Sequence, residues 1–350
     1  MKKVFVALSG GVDSSVVAHL LQNQGWDVTA VFIRVWQPDF MPCTQDEEER
    51  SALRVAAALG IPFRRVDLSD EYKKGVVDAM ISEYRAGRTP NPDVLCNAQI
   101  KFGAFLAYAK REGADKIATG HHARIHEQEG TYTLLRGIDE TKDQAYFLWK
   151  LTQEELRHTV MPIGEMSKRD VREYAKKHAL PSARKPDSQG LCFIGHVDMK
   201  TFLKNFIKGK PGKVLDENGR TIGNHEGSEF VTLGQRGGFT ITNQSAHGRV
   251  YYVIQKDVAA NTITVSTQQD TIDAERVKIK LTDTNWLMPI LPSKEYSCEI
   301  RYHGLPIVCT VEITGKHEAF VHTTNAVLVA TGQSVVVYEK DVCFGGGVVA

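Results

Sequence analysis

The chain has 350 residues, 42% of them hydrophobic and 24% charged, with a formal net charge of +1. That length predicts two domains or three small ones, and the composition excludes a disordered or fibrous chain. Near-neutral charge excludes neither a polyanionic partner nor a small-molecule substrate, because nucleic-acid binding needs a basic face and not a basic protein.

The opening segment, Met1-Lys2-Lys3-Val4-Phe5-Val6-Ala7-Leu8, breaks at Ser9-Gly10-Gly11 before it reaches signal-peptide length. No stretch approaches the roughly 18 apolar residues that span a bilayer, so a cytoplasmic protein with no membrane partner is expected. Residues 3–8 predict a buried strand, 14–24 a helix and 28–35 a second buried strand. Residues 44–59 predict a helix that Thr44 caps, with Glu47 three residues on and Gly60-Ile61-Pro62 as its stop. A third strand at 63–68, helices at 72–84 and 102–111, and a fourth strand at 116–119 complete an alternation that predicts an α/β doubly wound parallel sheet. Such sheets bind ligands at the carboxyl ends of their strands. From Gly212 onward helical periodicity gives way to short β runs and turns, with Asn218-Gly219 as a hairpin signal and a polar break near 271–275. Strands are expected at 277–281, 296–302, 307–313, 319–322 and 334–339, in two small β modules.

Ser9-Gly10-Gly11-Val12-Asp13-Ser14-Ser15 follows the first strand and opens the first helix. Two glycines allow a sharp turn and a close ligand, and the helix-start amides with the serine hydroxyls can cradle a phosphate. Asp13 would repel a phosphate unless Mg²⁺ sits between them. A plain glycine turn capping a helix is the bland alternative. The string resembles the signature of the pyrophosphatase-loop ATPases, which cleave ATP between the α and β phosphates.

The six cysteines (Cys43, Cys96, Cys192, Cys298, Cys309 and Cys343) are dispersed without a C-x-x-C pair, so neither a disulfide framework nor a zinc knuckle is expected. Cys96 ends the turn-rich Thr89-Pro90-Asn91-Pro92-Asp93-Val94-Leu95-Cys96, ahead of a helix whose dipole favours the thiolate. Asp93, three residues away, could exchange a proton at the same site. Cys192 lies in a second polar loop near Arg184 and Lys185. Cys298 and Cys309 alternate with apolar residues and, like Cys343 beside a terminal glycine turn, read as structural. Cys43, in a loop before a helix, leaves a cluster with Cys96 and Cys192 open.

The phrases at 87–97 (G-R-T-P-N-P-D-V-L-C-N) and 185–195 (K-P-D-S-Q-G-L-C-F-I-G) resemble those of the tRNA-specific 2-thiouridylases. The similarity continues through Ala118–His121, Lys142–Leu148, Thr232–Arg236, Arg301-Tyr302, Gly332–Ser334 and Gly345–Gly347, and departs at Gly237, where the family usually has a lysine. It implies an adenine-nucleotide α-hydrolase-like domain over 1–203, a small central β domain over 204–274 and a β-barrel-like domain over 275–350. ATP, with Mg²⁺, would activate the C2 oxygen of the wobble uridine in lysine, glutamate and glutamine tRNAs. A persulfide on Cys192 would supply the sulfur, Cys96 would be the partner nucleophile and Asp93 the general acid/base. ATP would be held by Ala7, Leu8, Ser9, Gly10, Gly11, Val12, Asp13 and Ser14, with Ile33 and Gly120. Asn91, Pro92 and Asp93 would border the base, and His121, Lys142, Asp143, Gln144, Arg301, Tyr302 and Gln333 would meet the tRNA. A cysteine desulfurase or a relay protein would deliver the sulfur.

His121, His122 and His126 lack matching ligands, so no resident metal site is expected. Lys168, Arg169, Arg172, Lys176, Lys177, Arg184 and Lys185, with Lys200, Lys204, Lys208, Lys210 and Lys213, suggest a phosphate-binding surface. Trp36 and Trp149 could stack on a base, although packing is the simpler role. The rival readings are a small-molecule synthetase, which would need neither cysteine loop, and a passive tRNA-binding module, in which the phosphate loop would be idle.

Overall fold

The computed structural model describes residues 1–187, 198–242, 249–267 and 277–350. Five parallel strands, β1 (Lys3–Ala7), β2 (Asp27–Arg34), β3 (Phe63–Asp67), β4 (Lys116–Ala118) and β7 (Thr159–Val160), form a sheet in the order β3-β2-β1-β4-β7. Strand residues alternate between two faces and both faces are covered, which is why these strands read as nearly continuous apolar runs. Phe5, Val31 and Ile33 pack with the long helices α3 (69–85) and α4 (92–111). Val4, Val6, Ala30 and Phe32 pack against α1 (Val12–Asn23), α2 (Gln45–Leu59) and a later helix, Lys168–Lys177. The expected doubly wound sheet is what forms.

Local differences have physical causes. Thr44 sits in helical backbone and makes no cap; its hydroxyl donates to Glu48 Oε1 at 3.4 Å, while Gly60 ends α2 in the left-handed conformation expected of it. Helix α4 begins at Pro92, ten residues ahead of the expected start at 102. Asn91 caps it, accepting from the Val94 N–H at 3.3 Å, and Pro92 takes the first helical position, where a missing N–H costs nothing. Both α3 and α4 contain π-helical stretches, Lys73–Asp78 and Cys96–Ala104, which pack closely: a Cβ on Gly75 would fall 1.9 Å from Gln99 Oε1.

The hairpin β5 (Ala123–Gln128) and β6 (Thr131–Arg136) is absent from the sequence expectations. After α5 (Gln153–Arg157), β7 and α6 (Lys168–Lys177), the short helix α7 (Met199–Leu203) leads to a five-stranded sheet. Its strands are β8 (Gly212–Leu215), β9 (Thr221–His225), β10 (Phe239–Ile241), β11 (Tyr252–Asp257) and β12 (Thr262–Ser266), packed around Val214, Ile222, Val253 and Ile263. The Asn218-Gly219 turn joins β8 and β9, with Gly219 at φ +78°.

The last module comprises β13 (Lys278–Trp286), β14 (Tyr296–Glu299), β15 (Ile307–Gly315), β16 (Glu318–Thr323), β17 (Ser334–Glu339) and β18 (Val342–Val349). Pairing of β13 with β18 closes it into a barrel. Gly345–Gly347 are not the expected terminal turn: they lie inside β18, where the barrel closes. A Cβ at Gly345 would fall 2.1 Å from Asn285 O, so only glycine permits the close approach. Cys298, Cys309 and Cys343 are buried in these strands, and burial pushes the Cys343 thiol up to about 12. The expected structural role holds for all of them.

The barrel is not a separate body. Val336, Tyr338 and Cys343 share a core with α4, Trp149 and the first sheet, and β18 pairs with β6 at Val342–Leu135. Within this joint Arg136 donates to Asp143 at 2.9 Å and to Glu299 at 2.6 Å, with its guanidinium 3.6 Å from the Tyr338 ring centre. Burial pushes the Glu299 carboxyl up, against the pull of Arg136. Replacing Arg136 with methionine would leave two buried carboxylates unpaired, and we expect a loss of about 3–5 kcal/mol. Urea unfolding checks this; a change within error would show that the joint does not depend on the ion pairs.

Candidate active site

The chain turns outward in one direction from β1 through β2 to β3, then returns to place β4 on the other side of β1. The carboxyl ends of β1 and β4 therefore flank the switch-point crevice, where doubly wound sheets hold their ligands. Ala7 ends β1, and Leu8, buried, extends its register by donating to Val31 O at 2.9 Å. Gly10 turns at φ +71°, and a Cβ there would stand 2.6 Å from Ala52 N. Glycine alone lets the loop lie this close to α2. Gly11 caps α1 in extended backbone with no side-chain cap, which leaves the helix-start amides for an anion. Val12 is buried beneath the loop; the Ser9 and Ser14 hydroxyls stand 3.3 Å apart, and Ser15 donates to Gly11 O at 2.7 Å. Gly120, just after β4, faces the same space: a Cβ there would lie 3.0 Å from both Asp13 Cβ and Ser14 N. Ile33 is buried in β2.

Asp13 is not a bare charge. Its two oxygens lie 2.6 and 2.7 Å from Lys168 Nζ, and His122 Nε2 is 3.6 Å away. Burial opposes its ionisation, yet His122 and Lys168 outweigh burial and hold the carboxyl below its usual range. Lys168 also lies 3.0 Å from Asp187, which pairs with Arg172 and, at 3.4 Å, with Lys142. Lys168 carries no individual signal in the sequence beyond its place in a basic run. The Ser167–Asp170 capping box that starts α6 is the feature that could have set it apart.

The second group of residues gathers at the start of α4. Helix α4 packs beside the carboxyl end of β4: the Phe102 ring centre lies 5.5 Å from that of His121, and Asn97 donates to Phe147 O at 3.3 Å. Asp93 lies in the first turn and Cys96, buried, is the first residue of the π-helical stretch. π-helical turns recur at functional sites, where they re-aim a side chain. Tyr302 is 36% exposed, its ring centre 4.4 Å from that of Phe147. Burial, then the charges of Asp143, Glu299 and Asp93, push its hydroxyl up to about 12. The loop before Asn91 is gripped from outside its own module: Thr89 donates to Thr331 O at 2.8 Å, its carbonyl accepts from Gln333 at 2.7 Å, and its hydroxyl meets that of Thr232 at 3.2 Å.

The remaining residues expected at the RNA fall in different settings. Arg301 is exposed, and Lys142 is held by Asp187. Gln144 accepts from the His122 N–H at 3.0 Å. His121 is interior, 2.8 Å from the Thr119 hydroxyl, and burial pulls its pKa well below 6.5. Asp143 is interior as well, its carboxylate spent on Arg136 and the Gly137 and Ala145 amides. Trp149 is core, whereas Cys43 is exposed. Part of the expected basic surface is internally paired: Arg169 with Glu173, Arg172 with Asp187, and Lys200 and Lys204 with Glu226. Cys192 lies outside the described residues. Among those residues no group of three His, Cys, Asp or Glu side chains could hold a metal, and no helix is long and apolar enough to cross a membrane.

A phosphate-type loop at the switch point of a parallel sheet, joined to two β modules, defines a nucleotide-binding α/β enzyme. Three family models match in succession: tRNA methyl transferase HUP domain over residues 2–196, tRNA methyl transferase PRC-barrel domain over 200–267, and Aminomethyltransferase beta-barrel domain over 276–349. The tRNA-specific 2-thiouridylase MnmA of Ralstonia nicotianae is 42% identical over 355 residues, covering 100% of this chain and 96% of its own length. That of Chromobacterium violaceum is 40% identical, covering 99% of this chain and 92% of its own. The NMN synthetase of Francisella tularensis is similar over 53% of this chain and 66% of its own, at 18% identity and a TM-score of 0.34, too distant to bear on the reaction. The chain belongs to the tRNA-specific 2-thiouridylase family.

Gly10→Ala should lower nucleotide affinity about tenfold or more, because the left-handed backbone and the contact with Ala52 both oppose a methyl group. Equilibrium binding of a non-hydrolysable ATP analogue checks this, and unchanged affinity would mean that the loop does not hold the nucleotide.

Proposed function

We propose that this chain is an ATP-dependent tRNA-uridine 2-sulfurtransferase acting on the wobble uridine of tRNA. What carries the reading is full-length similarity at 40–42% identity to proteins named for that activity. The approach of Gly120 to the glycine loop, with α4 packed against the neighbouring His121, supports it.

Chemistry explains the need for ATP. The C2 oxygen of uridine is a poor leaving group; adenylation turns it into AMP and releases pyrophosphate, and each 1.36 kcal/mol taken off the barrier is worth about tenfold in rate. The loop from Ala7 to Ser14, with Ile33 and Gly120, binds the ATP, its helix-start amides facing the phosphates. Asp13, beside the Ser9 and Ser14 hydroxyls, fits the one-carboxylate seat that Mg²⁺ takes when nucleotide oxygens complete its shell. The ion would there offset phosphate charge.

The terminal sulfur of a Cys192 persulfide then displaces AMP at C2, and the Cys96 thiolate attacks Cys192 Sγ to free the thiouridine. In the alternative order Cys96 first releases hydrosulfide, which attacks C2. Both routes leave a Cys96–Cys192 disulfide, which a cellular dithiol must reduce, so a reducing cytoplasm suits the cycle. Asp93, one turn ahead of Cys96 on α4, exchanges the proton as general acid/base. Asn91 and Pro92 border the base, and Tyr302, Arg301, Lys142, Gln144 and Gln333 face the RNA. The sulfur comes from a persulfide donor, either a cysteine desulfurase or a relay protein.

The deciding experiment incubates the protein with unmodified glutamate tRNA, ATP, Mg²⁺ and a sulfide donor, and reads nucleosides by mass spectrometry. Wild type should yield wobble 2-thiouridine only with ATP, and Cys192→Ser and Cys96→Ser should yield none. ATP cleaved to AMP and pyrophosphate without any thiolated nucleoside would return the case to a small-molecule synthetase.

A further inference from the structure

The phosphate loop already carries a cation of its own. Lys168 Nζ bridges both oxygens of Asp13, at 2.6 and 2.7 Å, and its side chain is 12% exposed. Its backbone is fixed as well: the Lys168 N–H donates to Asp139 at 2.9 Å, just inside the capping box that starts α6. On the other side of Asp13 stands His122, 4% exposed, with Nε2 3.6 Å from the carboxylate and no hydrogen-bond partner. A carboxylate clasped by an ammonium, beside a buried imidazole whose two ring nitrogens both lack a hydrogen-bond partner, is a cation seat in which the lysine stands where a divalent ion would sit. Both cations cannot hold Asp13 at full strength, because like charges that close repel. The lysine has an alternative, since Asp187 lies 3.0 Å from the same nitrogen.

We propose that Lys168 is a positioning residue that competes with the divalent cation for Asp13 and withdraws onto Asp187 when the metal–nucleotide binds. The proposal rests on the nucleotide reading of the loop and adds to it a charge exchange. Before binding, the ammonium neutralises Asp13 and holds it in place. On binding, the metal takes Asp13 and the ammonium passes to Asp187. There it crowds Arg172 and Lys142, which share that carboxylate. Occupancy of the phosphate loop is thereby felt at Lys142.

The test titrates the protein with Mn²⁺ alone, a spectroscopic substitute for Mg²⁺, and follows the free-ion signal by electron paramagnetic resonance. Removing the competitor in Lys168→Met should tighten Mn²⁺ binding about tenfold, the scale of a nearby charge in a partly buried site. Lys168→Arg, which keeps the charge, should stay near wild type. Asp187→Asn, which leaves the lysine only Asp13, should weaken binding. Adding Asp13→Asn to Lys168→Met should abolish the gain. Lys168→Gln serves in place of Lys168→Met if the latter fails to fold. An unchanged or weaker Lys168→Met, a gain that survives Asp13→Asn, or no measurable binding in any variant would overturn the proposal. None of these outcomes touches the thiolation reading, which the nucleoside assay decides separately.

Discussion

The constraint on which the molecule depends is the divergence of the chain at β1 and β4. Parallel strands have their carboxyl ends at one edge of the sheet, and when neighbouring connections leave toward opposite faces, a crevice opens there that no sheet residue can fill. Glycine keeps it open at both lips. Gly10 allows the loop to fold against α2, and Gly120 leaves the space opposite Asp13 free of a side chain. Helix α4 comes back to this edge, with the Phe102 ring centre 5.5 Å from that of His121 just beyond β4, although its start looks like a distant loop in sequence. The site is a consequence of strand order before it is a consequence of any one side chain.

Electrostatics then sets what that crevice tolerates. A carboxylate in an anion-binding loop is a contradiction in charge, and the protein resolves it with an ammonium from α6. That ammonium is shared with Asp187, and Asp187 with two further cations, so Lys168 and Arg172 of the basic stretch around α6 serve as counter-ions. A second ionic knot, Arg136 with Asp143 and Glu299, does unrelated work: it fixes the hairpin of the first module to the barrel.

Local pattern was enough to read the alternation of the first module, the Gly60 stop, the Asn218-Gly219 turn and most barrel strands from the sequence. The family resemblance likewise rested on short phrases around Cys96 and Cys192. What stayed hidden is long-range. Helix α4 starts at Pro92 because Asn91 caps it, yet two prolines and two asparagines look locally like a loop. The β5–β6 hairpin is polar on its exposed side and finds its partner, β18, some two hundred residues later. Gly345–Gly347 look like a turn and serve as strand because barrel closure demands close backbones. Lys168 and Asp143 share the difficulty, since a charged residue discloses its role only when its counter-ion is known.

The grip on Thr89 has a bearing on how such a molecule can change over time. A segment from the barrel donates to its carbonyl, accepts from its amide, and brings Gly332 so near that a Cβ there would stand 2.9 Å from Thr89 N. The central module adds the Thr232 hydroxyl, and Gly87 is crowded by Val258. The three modules are therefore not interchangeable cassettes. A barrel borrowed from a relative would have to arrive with its own version of the short stretch from 87 to 91, and lineages that altered one would have had to alter the other in step.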